Sequence, residues 1–182
     1  MLVPLRRRKN IRLKGYDYSK AGCYFVTICT QNRIHYFGEI VGATLCGRPN
    51  NPHIMIEAWL LELENKFPDV TIGPYIIMPN HIHVILQKEE LCDWGTGDHT
   101  GSPLRDVVGW FKTMTTNDYI RKVREGLYEP FEKRLWQRNY YEHIIRDEQD
   151  YHRIAEYIEH NPMTWADDSL NDMNELSEKR QN

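Results

Sequence analysis

Three short stretches of the sequence carry side chains that can do chemistry. In His81-Ile82-His83, an extended backbone sends both imidazoles to one face and Ile82 and Val84 to the other, because side chains alternate along a strand. Two neutral imidazole nitrogens at that spacing can grip one metal ion. A bare H-x-H occurs often by chance and is compatible with two polar residues on a half-exposed strand. Here the pair sits inside Tyr75-Ile-Ile-Met-Pro-Asn-His-Ile-His-Val-Ile-Leu86, a very apolar run. Placing two imidazoles there is costly unless something satisfies their nitrogens, which favours ligation.

The second stretch is Tyr157-Ile-Glu-His-Asn-Pro162. Tyr157 and Asn161 are four apart, so a helix puts them on one face. A phenol can attack phosphorus when a neighbouring cation favours its ionised form. Asn161 offers a carbonyl oxygen to a hard ion such as Mg²⁺. On spacing alone the plainer roles are favoured: core packing for Tyr157 beside Ile154 and Ile158, and a helix C-cap before proline for Asn161. The third stretch, Leu135-Trp-Gln-Arg-Asn-Tyr-Tyr-Glu-His-Ile-Ile-Arg146, interleaves aromatics with Arg138, His143 and Arg146. It can stack bases and hold phosphates, or pack its aromatics inward as an ordinary strand. His143 is open to three roles: metal ligand, phosphate contact or structural histidine.

The elements that must position these residues follow from periodicity. Cys23 to Thr30 reads as a strand by its β-branched and aromatic content, and Ile34 to Val41 as a second. Gly47 to Pro52 is a loop by its turn residues. Ile56, Leu60, Leu63 and Phe67 form one helical stripe over Ile54 to Phe67. Val70 to Met78 and His81 to Gln87 are strands separated by Pro79-Asn80, and the polar, glycine-rich Lys88 to Gly101 is a mobile loop. Ser102-Pro103 reads as a capped helix start, with Leu104, Val107, Val108, Phe111 and Met114 facing the core up to about Gly126. Trp136 to Arg146 is a fifth strand. Glu148 to His160 is a last helix, stopped at Asn161 because a residue before proline avoids helical angles. The order β-β-α-β-β-α-β-α predicts an α+β fold, an antiparallel sheet with helices packed on it, compatible with a ferredoxin-like sandwich.

The 182 residues suit one domain, residues 21–165, preceded by a basic arm over 1–20 and followed by an acidic, weakly ordered tail over 166–182. The arm carries Arg6, Arg7, Arg8 and Lys9, and is as compatible with a solvated terminus as with a DNA contact. The tail carries Asp167, Asp168, Asp172, Glu175 and Glu178. A formal net charge of −3 argues against a basic, non-specific DNA coat, although phosphate binding follows local charge. Four cysteines without a C-x-x-C pair argue against a structural zinc site or a disulfide framework. With no signal peptide and no run of ~20 apolar residues, the expected setting is the cytoplasm, with no membrane partner.

Taken together and in this order, the three stretches resemble a known family. Met78-Pro-Asn-His-Ile-His-Val resembles the HUH motif of single-tyrosine transposases. Trp136 to Arg146 and Tyr157 to Pro162 resemble the REP-associated tyrosine transposase branch, relatives of the small insertion-sequence transposases. The resemblance spans roughly Tyr18 to Trp165. It implies a ferredoxin-like sandwich with the histidine pair on a central strand, and Tyr157 as nucleophile. It puts Asn161 where the insertion-sequence relatives carry a metal-completing glutamine. It further implies Mg²⁺ or Mn²⁺, and single-stranded DNA with imperfect palindromic hairpins as substrate. Arg138, His143, Arg146, Arg7, Arg8 and Lys9 are then candidates for holding DNA. The acidic net charge departs from a typical DNA binder. Two other functions remain compatible: a hairpin-binding module that no longer cuts, and a metal hydrolase with a merely structural Tyr157. A homodimer and a monomer are equally compatible.

Overall fold

A computed structural model describes residues 21–38, 51–89, 102–168, 170 and 171. Its β-branched and aromatic runs build four strands: β1 (Gly22–Cys29), β2 (Val70–Met78), β3 (His81–Lys88) and β4 (Tyr141–Ile145). They lie in the order β2-β3-β1-β4, and every pairing is antiparallel. Helix α1 (Pro52–Lys66) joins β1 to β2, and α2 (Leu104–Arg124) joins β3 to β4. The resulting β-α-β-β-α-β succession with β1 and β3 central is the ferredoxin-like sandwich. A third helix, α3 (Glu148–His160), and a 3₁₀ segment, Asn161–Asp167, follow it.

The period-2 pattern of β1 and β3 divides the interior in two. Tyr24, Val26 and Ile28 with Ile82, Val84 and Leu86 face α1 and α2, where Ile56, Leu60, Leu63, Val107 and Phe111 complete the larger core. Phe25 and Ile85 face the other way, against Ile154 and Ile158 of α3. Both faces of β3 are therefore covered, which is why the run from His81 to Leu86 is apolar apart from its two histidines, and each fully buried aliphatic side chain contributes about 1.5–3 kcal/mol. β2 meets β3 across a register shift between Ile72 and Tyr75. There a Cβ on Gly73 would come 3.2 Å from the Ile85 carbonyl oxygen, tighter than ordinary van der Waals contact, so glycine lets the two backbones approach without displacing β3.

The structure departs from the sequence expectations in four places. Residues 34–38 form no strand: Tyr36 and Phe37 turn into the core, and Phe37 N–H bonds the Pro79 carbonyl rather than a ladder partner. The remainder of that expected strand, residues 39–41, lies outside the described residues. The strand expected from Trp136 shrinks to β4, with Trp136 making one isolated bridge to Thr30. Ser102 does not cap α2. Its N–H and hydroxyl instead donate to the Asp69 carboxylate at 2.6 and 2.8 Å, and Pro103 occupies the cap position. Asn161 keeps helical angles (φ −53°, ψ −40°), and the chain runs directly into the 3₁₀ segment with Pro162 in its first turn.

Candidate active site

His81 is positioned by the turn before it. Asn80 is fully buried, and its amide nitrogen donates to the carbonyls of Arg33 (3.0 Å) and Leu170 (2.8 Å). Its amide oxygen can then only accept, so the 2.8 Å contact to His81 Nδ1 is an N–H of the imidazole donating to Asn80. The proton is thereby fixed on Nδ1, and Nε2 presents a lone pair. That Nε2 is buried and has no hydrogen-bond partner.

His83 lies two residues on along the same face, with its ring 4.5 Å from that of His81. Thr27, its cross-strand neighbour on β1, holds Nδ1 at 2.8 Å, and Phe25 stacks on the ring at 5.2 Å. Burial pulls both imidazoles far below their ordinary pKa. His81 falls to about 2, with His83, Arg33 and His35 adding to the effect. His83 falls to about 4, with Asp168 opposing. Both rings are therefore neutral at pH 7, the state in which imidazole ligates metals.

Helix α3 brings Tyr157 to this pair. Asp147 caps the helix by accepting from Asp150 N–H at 2.8 Å, and Ile154 and Ile158 anchor it to the sheet. Tyr157 lies at the margin of that apolar stripe, 45% exposed, with its hydroxyl 3.3 Å from His83 Nε2. Edge-on packing against His83 (5.3 Å) and Phe25 (6.2 Å) fixes the ring. Burial and then Asp168 push the phenol pKa up, and Asn161 opposes them. In the absence of a cation the phenol is held protonated.

Asn161, one turn after Tyr157, is buried. Its amide nitrogen donates to Asp168 at 3.1 Å, and its amide oxygen is buried without a partner. Asp168 itself does not stand out in the sequence, where it is one acid among several in a segment expected to be weakly ordered. The 3₁₀ segment instead folds it back, so that one ligand atom each from His81, His83 and Asp168 all lie within 4.8 Å of one another. Trp165, on the same segment, packs its ring 5.7 Å from His81 and 5.6 Å from His35. No spacing rule marks Asp168; proximity to Tyr157 and Asn161 in sequence is the one available signal.

The other predicted residues lie elsewhere. His143 is engaged by Asp150 at 2.7 Å, on the α3 side of β4. Arg146 is exposed just past β4, and Arg138 is exposed on the segment before it. Arg7, Arg8 and Lys9 lie outside the described residues. Among the described residues, no helix is long and apolar enough to cross a membrane.

No protein-family model matches the chain. It is 36% identical to a Haemophilus influenzae protein that carries the name uncharacterized protein, over 91% of this chain and 94% of that protein. It is 27% identical to a second Haemophilus influenzae protein, assigned by name to the REP-associated tyrosine transposases, over 81% of this chain and 73% of that protein. Among solved structures it resembles a REP-associated tyrosine transposase bound to a REP hairpin. The TM-score is 0.52 at 21% identity, covering 90% of this chain and 74% of that one. This last likeness is one of fold.

Proposed function

Because the chain belongs to the REP-associated tyrosine transposases, we propose that it is a metal-dependent single-strand DNA endonuclease and strand transferase acting on hairpin DNA, with Tyr157 as nucleophile. The observation that carries this reading is the Tyr157 hydroxyl 3.3 Å from His83 Nε2, in a site where His81, His83 and Asp168 converge.

The donor set fits a divalent cation. Two buried polar atoms, His81 Nε2 and Asn161 Oδ1, have no partner, and a carboxylate stands between the groups that carry them. Buried polar atoms are rarely left unsatisfied, and a bound ion resolves such cases. His81, His83 and Asp168 would hold Mg²⁺ or Mn²⁺, with Asn161 as a further oxygen ligand. When bound, such an ion supplies positive charge that polarises a phosphate and favours the phenolate.

The protein's own residues do the rest. Asn80 and Thr27 hold the two imidazoles in the ligating orientation, as outer partners of metal-bound histidines generally do. Phe25 and His83 aim the Tyr157 ring. Tyr157 Oη loses its proton to solvent and bonds to phosphorus in line with the leaving group. The P–O3′ bond breaks, and the 3′ oxygen takes a proton. The products are a 5′-phosphotyrosine and a free 3′-OH. The phosphodiester energy is kept in the new bond, so a 3′-OH can reverse the step without ATP.

The decisive measurement is incubation of the full chain with labelled single-stranded hairpins. A denaturation-resistant protein–DNA adduct is expected with Mn²⁺ and not with EDTA. A metal-dependent cut without an adduct would make the protein a hydrolase of another kind, and hairpin binding without any cut would make it a binding module. Asn80→Ala is expected to lower Mn²⁺ affinity about 10- to 100-fold by freeing the His81 ring. An unchanged affinity in calorimetric titration would show that His81 is oriented by other contacts.

A further inference from the structure

A cleft of about 410 Å³ opens between α2 and the segment 131–138, away from the tyrosine helix. Four cations line it: Lys112 from α2, and Lys133, Arg134 and Arg138 from the segment. No carboxylate lines it among the described residues. Its remaining wall is partly apolar, with Ile120 and Phe131 only partly buried.

The cations are built into the fold to different degrees. The Lys112 ammonium donates to the carbonyls of Gln137 (3.1 Å) and Asn139 (3.2 Å) and sits 5.3 Å over the Tyr140 ring. An ammonium has three donors, so one remains for a ligand. Burial lowers its pKa to about 8, a cost that an anion in the cleft would offset. Lys133 holds a left-handed backbone (φ 59°), a conformation that a residue with a Cβ rarely adopts. Such strain clusters at binding sites. Arg134 and Arg138 are exposed, each with a planar fork suited to phosphate.

The cleft is also joined to the candidate active site. Gln137 N–H bonds the Cys29 carbonyl at 2.9 Å, and Trp136 bridges Thr30. Cys29 is the cross-strand partner of His81. One end of the cleft therefore lies a single strand away from the histidine pair.

Its volume is that of a small-molecule pocket, roughly 300–1,000 Å³, too small for a duplex. An apolar floor under a cationic rim matches unpaired nucleic acid, where bases meet apolar surface and phosphates meet cations. We propose that this cleft holds an unpaired nucleotide of the DNA strand, its base against Phe131 and Ile120 and its phosphate among Lys112, Lys133, Arg134 and Arg138. The proposal rests on the DNA-processing function above and assigns the place where the strand flanking a hairpin is held.

The test uses the full chain in EDTA, so that nothing is cut. Binding is read by fluorescence anisotropy at several salt concentrations. Two probes are compared, a blunt hairpin and the same hairpin with a short single-stranded extension. The unsubstituted protein is expected to bind the extended probe more tightly. Arg134→Ala with Arg138→Ala should remove most of that advantage, and should flatten log K against log salt by about 1.4, roughly 0.7 per lost single-strand phosphate contact. Arg134→Lys with Arg138→Lys should restore the slope. The cleft assignment is overturned if the alanine variant keeps both the preference and the slope, or if the unsubstituted protein shows no preference for the extension. A protein that binds neither probe would overturn the functional reading itself, an outcome distinct from either of these.

Discussion

Tyr157→Phe is expected to abolish the covalent protein–DNA adduct while leaving hairpin binding in place. The substitution deletes one oxygen and keeps the ring that packs against His83 and Phe25. The lost hydrogen bond to His83 is long, at 3.3 Å, and the residue is 45% exposed, so folding should hardly change. The adduct needs a nucleophilic oxygen at that point, and phenylalanine offers none. Denaturing gels after incubation with Mn²⁺ read the result directly. Tyr141 provides the internal control. It is 49% exposed, and its ring also reaches Phe25, at 6.5 Å. An adduct that survives Tyr157→Phe and maps to Tyr141 by mass spectrometry would reassign the nucleophile.

Part of the site is legible in the amino-acid sequence. The histidine pair stands out because two polar rings in an apolar strand need a compensating partner, and the alternation rule gives their shared face. The face of α3 carrying Tyr157 and Asn161 follows from helical spacing. Asp168 escapes because its placement depends on Asn161 keeping helical angles before Pro162, against the local preference. That conformation carries the chain into the 3₁₀ segment and turns an apparent tail residue towards the histidines. Asn80 reads as a turn residue, but its role in setting the His81 tautomer needs the Arg33 and Leu170 carbonyls, which are distant in sequence. The false strand at Ile34 has a related cause. Aromatic and β-branched content reports side chains that pack well, and Tyr36 and Phe37 pack into the core from a turn. Ser102 has the composition of a cap, but Asp69, 33 residues away, outcompetes the local helix for it.

Acidifying the metal-free protein from pH 7 to pH 5 is expected to destabilise it by about 4 kcal/mol, about 2 from each of His81 and His83. Both folded-state values lie below the ordinary imidazole value of about 6.5, at about 2 and about 4. Well above pH 6.5 neither the folded nor the unfolded chain protonates these rings, so they do not bias folding. Below it the unfolded chain binds two protons that the folded chain refuses, and stability drops. At pH 5 the unfolded rings are about 1.5 units past their midpoint, at about 1.36 kcal/mol per unit. Urea titrations in EDTA at the two pH values measure the difference, and His83→Gln should lose only about half as much as the unsubstituted chain. Equal urea midpoints at pH 7 and pH 5 would show that the imidazoles are solvated rather than sealed under Trp165 and Tyr157. The same burial has a consequence for ligation. Because the folded rings stay neutral at pH 5, protons do not compete for their nitrogens there, and added Mn²⁺ should stabilise the protein at pH 5 as well as at pH 7. Exposed histidines would already have lost most of their metal affinity at that pH.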